Sequence, residues 1–131
     1  TLEQVEQNVR SASASGIGML SAEEVKLVEQ VRQVVNNLGP IPCTRCEYCL
    51  PCPNNVDIPG NFDVYNRAAM YDMLEASRNE YARWIPDDQK AAACIQCEEC
   101  LSKCPQQILI STWLPVVEEV LGLKRPYVRS V

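Results

Sequence analysis

All eight cysteines of this chain fall into two short runs, and no fold is acceptable unless it accounts for both. The first run reads Cys43-Thr-Arg-Cys-Glu-Tyr-Cys-Leu-Pro-Cys-Pro53 and the second Cys94-Ile-Gln-Cys-Glu-Glu-Cys-Leu-Ser-Lys-Cys-Pro105. The intervals agree until the last cysteine, where the first run is one residue shorter. A disulfide framework spreads its cysteines along a chain, and cysteines three apart seldom pair, so a disulfide scaffold is a poor reading. Structural zinc, with four cysteines per site, is the plainer alternative because zinc also takes Cys-x2-Cys pairs. Zinc, however, draws two ligands from each of two separated knuckles.

Three cysteines at successive intervals of three, closed by Cys-Pro, are the spacing of a cubane iron–sulfur cluster. A Cys-x2-Cys-x2-Cys loop wraps three corners of the cube, and the fourth corner comes from elsewhere. The second run has the full Cys-x2-Cys-x2-Cys-x3-Cys-Pro form, whose fourth cysteine ligates the other cluster of a pair. The expected ligand sets for two 4Fe-4S clusters are therefore Cys43, Cys46, Cys49 and Cys104, and Cys94, Cys97, Cys100 and Cys52. The shortened gap at Leu50-Pro51 favours the crossed arrangement, because a cysteine reaching across need only be aimed, and Pro51 and Pro53 stiffen Cys52 on both sides. A local fourth ligand is the alternative. Tyr48 and Ile95 are expected to shield the clusters from water, and Glu47, Glu98 and Glu99 to form a solvated face.

The remaining composition excludes more than it selects. A formal net charge of −5, with Arg32, Lys90, Lys103 and Arg125 scattered and expected to be solvated, argues against nucleic-acid and anionic-membrane partners. There is no His, which removes the commonest general base and any His-dependent triad. No eighteen-residue apolar run and no signal-peptide pattern is present, so a cytoplasmic protein is expected. The chain opens at Thr1 inside a helix-start pattern, which leads us to expect a piece of a longer protein. With 131 residues and 47% hydrophobic content, one main unit plus an appendage is expected.

The periodicity is helical throughout. Thr1 with Gln4 reads as a capping box, and Leu2, Val5, Val9 and Ala12 share a face of a helix running to about Ser13. A Ser- and Gly-rich loop over residues 11–18 follows. Ser21-Ala-Glu-Glu24 caps a second helix with Val25, Val28, Val31, Val35 and Leu38 on one face, stopped at Gly39-Pro40. A third helix starts near Pro59, with Phe62, Tyr65, Ala69 and Met73 aligned, and a fourth spans about Leu74 to Trp84. Trp84, Trp113 and the tyrosines are read as core or rim. A break at Pro86 and a short helical restart deliver the chain to Cys94. A last helix is expected from a Ser111 cap through Trp113, Leu114, Val117 and Leu121 to Gly122, with Pro115 in its first turn. No segment alternates as a strand, so the chain reads as all-α with two cysteine-rich loops.

Several stretches resemble a known family. Ile41-Pro-Cys-Thr-Arg-Cys-Glu-Tyr-Cys-Leu-Pro-Cys-Pro53, Val56-Asp-Ile-Pro59 and Cys94-Ile-Gln-Cys-Glu-Glu-Cys-Leu-Ser-Lys-Cys-Pro-Gln106 make residues 41–121 similar to the iron–sulfur domain at the C-terminus of a group of bacterial and archaeal aldo/keto reductases. That domain is itself similar to the α-helical ferredoxins of fumarate reductase-type subunits, and its first run is shortened in the same way. Thr1-Leu-Glu-Gln-Val-Glu-Gln-Asn8 looks like the stretch that opens the last barrel helix of those reductases and touches the adenosine half of NADPH. Asn8 matches that pattern, whereas Gln7 stands where Glu is usual and Gln4 where Arg often binds the 2′-phosphate.

The resemblance implies barrel-derived helices and a linker over residues 1–39, a dicluster ferredoxin-like domain over 40–123 and a tail over 124–131. It further implies an electron-transfer module belonging to an aldo/keto reductase-type oxidoreductase, whose catalytic residues lie outside this chain. NADPH or NADH would serve the parent enzyme, and the partners would be the barrel and an external redox protein. The alternative is a structural iron–sulfur or zinc-stapled domain.

Overall fold

The computed structural model describes residues 1–131. It is entirely helical: α1 Leu2–Ala14, α2 Ala22–Leu38, α3 Ile58–Met70, α4 Leu74–Trp84 and α5 Ile110–Val117, with 3-10 turns at Asp87–Gln89 and Ala91–Ala93 and a π turn at Glu118–Gly122. The chain divides into two compact units, Thr1–Val35 and Asn36–Val131. No helix is long and apolar enough to cross a membrane.

The first unit consists of α1 and most of α2. Both helices begin with the caps their sequences encode. Thr1 Oγ1 accepts from the Gln4 N–H while the Gln4 side chain reaches back to the N-cap, and Ser21 and Glu24 exchange the same pair of bonds. Neither helix buries a single residue. Leu2, Val5 and Val9 on α1, and Val25, Val28, Val31 and Val35 on α2, all face solvent.

The second unit has the core. Phe62, Val64 and Tyr65 of α3 meet Tyr81 of α4, and Trp113, Leu114 and Val117 of α5, together with Val120 and Leu121. Each large apolar side chain buried here contributes about 1.5–3 kcal/mol. The start of α3 is set by Asp57, whose Oδ1 accepts from the Gly60 N–H at 3.0 Å, with Pro59 in the first turn. Gly60 is required for that cap, since a Cβ there would lie 2.1 Å from Asp57 Oδ2.

Several readings of this region need correction. α3 stops at Met70, and Asp72 turns the chain through a left-handed φ of 52°, so Met73 ends up exposed and Ala68, not Ala69, completes the buried face. Ser111 does not cap α5; the helix begins at Ile110 after Leu109, and Ser111 sits buried in its first turn. Pro115 accordingly lies inside the helix, four residues beyond Ser111. Lys90 is not solvated: its side chain is 17% exposed, its Nζ meets Asp87 Oδ1 at 2.5 Å, and it lies 5.7 Å from the centre of the Tyr81 ring. Trp84 lies well out in solvent, at 79% exposure.

The C-terminal residues close over the core. Tyr127 stacks on Tyr65 at 4.7 Å between ring centres, and Trp113 meets Tyr65 edge-on at 5.8 Å. The Tyr65 hydroxyl donates to the Val128 carbonyl at 2.5 Å, and the Tyr127 hydroxyl donates to the Tyr65 carbonyl at 3.2 Å.

Candidate metal centre

The two cysteine loops repeat one another in backbone detail. Arg45 and Gln96 are left-handed at φ 56° and 55°, and Glu47 and Glu98 both at 65°. The Leu50 N–H donates to the Glu47 carbonyl, as the Leu101 N–H does to Glu98. After the last cysteine the match continues, with Asn55 and Gln107 left-handed and the Asn55 and Gln107 N–H groups bonded to the Cys52 and Cys104 carbonyls. The extra residue of the second run extends its turn by one more bond, from the Cys104 N–H to the Leu101 carbonyl. In the first run the residue three after Leu50 is Pro53, which has no N–H to give.

Residues with side chains seldom adopt positive φ. Alternating right- and left-handed residues turn successive N–H groups to one side and make a concavity for an anion or a cluster. The Gln96 N–H accordingly donates to Cys94 Sγ at 3.4 Å, and the Arg45 N–H plays the same part toward the Cys43 thiol.

Side chains from α3 hold both loops in place. Asn66 grips the backbone of Ile41 just before the first loop, its Nδ2 donating to the Ile41 carbonyl at 2.7 Å and its Oδ1 accepting from the Ile41 N–H at 3.1 Å. Asn61, fully buried, does the same before the second loop: its Oδ1 accepts from the Ala91 N–H at 2.8 Å, while its Nδ2 donates to the Asp57 and Gln89 carbonyls. The Ala91 N–H also reaches the Tyr81 hydroxyl, which donates to Glu118 at 2.5 Å. Asn54 Nδ2 donates to the Ala93 carbonyl, tying the end of the first run to the start of the second. Pro115 adds a further tie, because it cannot donate to the Ser111 carbonyl as a helical residue would. That free carbonyl accepts from Gln96 Nε2 at 3.2 Å.

The loops and helices enclose two cavities. One is lined by Cys94, Cys97, Cys100 and Cys52 against Ile58, Ile95 and Leu114. The other is lined by Cys43, Cys46, Cys49 and Cys104 against Ile58, Phe62, Ile108 and Ile110. We call the Cys43-containing group the first cage and the Cys94-containing group the second. Each cage thus takes three cysteines from one run and one from the other. Cys46 and Cys97, at matching positions, are the exposed corners.

Burial pushes the Cys49 thiol up to about 11, its own N–H opposing, with Cys43, Cys100 and Cys104 adding to the rise. Cys43 and Cys100 shift the same way, burial leading in both; Cys104 and Cys46 add to the first, and Cys94, Cys97 and Cys52 to the second. Such thiols are poor nucleophiles and become thiolates when a metal displaces their protons. Four thiols lining each cavity, apolar walls and inward N–H groups fit a polynuclear, thiolate-held cluster.

Other expected site residues fall elsewhere. Tyr48 is 66% exposed and lines neither cage, so it shields nothing; the walls are Ile58, Phe62, Ile108, Ile110 and Leu114. Ile95 lines the second cage while remaining largely exposed. Glu47, Glu98 and Glu99 are exposed, as is Asn8 on α1. The sequence reading missed Asn61 and Asn66. Their signal was an asparagine on the apolar face of a helix, which needs a backbone partner when buried.

An all-helical unit carrying two thiol cages on matching loops is a helical, ferredoxin-like cluster-binding domain. The family described as 4Fe-4S dicluster domain matches residues 42–109, just over half of the chain. The chain belongs to that family, which points to iron–sulfur electron transfer. No curated protein and no solved structure matches it.

Proposed function

We propose that this chain is an electron-transfer module holding two 4Fe-4S clusters, one on Cys43, Cys46, Cys49 and Cys104, the other on Cys94, Cys97, Cys100 and Cys52. The observation that carries the reading is the composition of the two cavities, each lined by three cysteines of one run and the last cysteine of the other. When bound, such clusters exchange single electrons. The chain's own part is to position and insulate them. The left-handed residues aim N–H groups inward, Asn61 and Asn66 fix the loops to α3, and Phe62, Ile110 and Leu114 keep water from the inner walls. Cys46 and Cys97 leave one corner of each cage open to solvent, where a redox partner can approach.

We infer further that the module serves an aldo/keto reductase-type oxidoreductase of which it is the C-terminal part, with NADPH or NADH in the parent enzyme and Asn8 near its adenosine end. This rests on the resemblance of residues 1–8 and 41–121. Also in favour are the solvent-facing valines of α2 and the Leu2, Val5 and Val9 stripe of α1, of the kind a helix lays on a larger body.

Crossed ligation is tested by serine variants. Cys104→Ser should reproduce the spectral damage of Cys46→Ser, and Cys52→Ser that of Cys97→Ser, when each variant is reconstituted without oxygen and examined by EPR. Pairing of Cys52→Ser with Cys46→Ser instead would establish local ligation. Clusters that assemble but cannot be reduced would move the assignment to a structural role.

A further inference from the structure

The backbone match between the loops makes residue-by-residue comparison of the two cages meaningful, because matched positions hold their side chains alike. Two of these positions differ in charge. Arg45 of the first loop corresponds to Gln96 of the second, and Tyr48 corresponds to Glu99. Glu47 and Glu98 correspond to each other and cancel. The second loop is therefore more negative than the first by two charges.

The surroundings offset part of this difference, because Arg45 is itself ion-paired, and leave Glu99 of the second loop set against the uncharged Tyr48 of the first. Arg45 pairs with Asp63 at 3.4 Å, Asp63 also pairs with Arg67 at 3.1 Å, and Arg67 pairs with Glu80 at 2.5 Å. Two cations and two anions make that network neutral. Lys103 stands next to Cys104, a member of the first cage, and adds to the contrast. Ser111 lines the second cage where Pro59 lines the first, but a hydroxyl dipole is set there against whole charges.

We propose that this charge difference makes the cages unequal in electron affinity, the second holding its cluster at the lower reduction potential. The inference rests on the reading that both cages carry 4Fe-4S clusters. An added electron is disfavoured where net negative charge already stands close by, and net charge is among the properties that set cluster potentials. A one-electron carrier protein that meets the Cys97 corner gives up one electron there. That electron then runs downhill to the first cage, which ends reduced by one. The glutamates are exposed, so salt weakens their effect.

The test is an anaerobic redox titration of the reconstituted full chain, followed by EPR, alongside Glu99→Gln and Arg45→Gln. Both substitutions are isosteric or at exposed positions and leave every cysteine in place. The wild type should reduce in two steps. Glu99→Gln should raise the lower step and leave the upper, Arg45→Gln should lower the upper step and leave the lower, and raised salt should narrow the gap. A single step in the wild type, or Glu99→Gln moving the upper step, overturns the inference while the cluster assignment stands. Absence of acid-labile sulfide overturns the cluster assignment and the inference with it.

Discussion

Asn61 decides more of the site's geometry than any residue outside the cysteines. It is fully buried, and it satisfies one backbone N–H and two carbonyls, at Asp57 and in the Gln89–Ala91 stretch. Leaving such a group unpaired costs about 1–3 kcal/mol, so Asn61→Ala should lower stability by at least that amount in a denaturant titration and loosen the second loop first. The cysteines supply a second residue-scale prediction, about pH. In the metal-free chain the folded Cys49 thiol, pushed up to about 11, lies above its unfolded value, as do Cys43 and Cys100. A raised acid contributes stability while protonated, so this contribution is complete below about pH 8.5 and is lost as pH rises through the folded value. Tyr65, raised to about 12 by burial, extends the loss upward. The denaturation midpoint of the metal-free chain should therefore fall across the alkaline range. Loading with iron and sulfide should become easier over the same range, because ligation must release those thiol protons.

Helices were the legible elements, and their junctions were not. Caps at Thr1 and Ser21, and the stop at Gly39-Pro40, mark α1 and α2 from local chemistry alone, and the structure places both helices there. The C-terminal end of α3 and the start of α5 escaped that reading, because Asp72 takes a left-handed turn without glycine and Ser111 looks like a cap while serving as buried backbone. The left-handed residues of the loops are equally silent in sequence: Arg, Glu and Gln carry no signal for positive φ. Pro115 shows how far such an effect can travel. By leaving the Ser111 carbonyl free it gives Gln96 an acceptor, and that bond couples α5 to the second loop. Gln96→Ala should cost about 0.5–1.5 kcal/mol in the natural chain and less beside Pro115→Ala, where the helix reclaims the carbonyl. A double-mutant cycle on thermal unfolding measures that coupling.

At the scale of the molecule, the second unit is built on a repeat. Loop, turn, closing cysteine and helix start follow one another twice, at Cys43–Ile58 and Cys94–Ile110, and the last cysteine of each copy lines the cage of the other. The spacing of the cysteines leads one to expect such an exchange, since the second run has the form whose final cysteine belongs to a partner cluster. The one-residue difference between the runs proves local: a second turn bond at Cys104 in one copy, and Pro53 at the matching place in the other. The Tyr65–Trp113–Tyr127 packing was not readable, because only the folded chain brings residues so distant in sequence together. The central claim is that these two cages hold two cubane clusters, and metal and sulfide analysis of the chain purified without oxygen tests it most directly. The account predicts about eight iron and about eight acid-labile sulfide per chain; zinc in the absence of sulfide would contradict it.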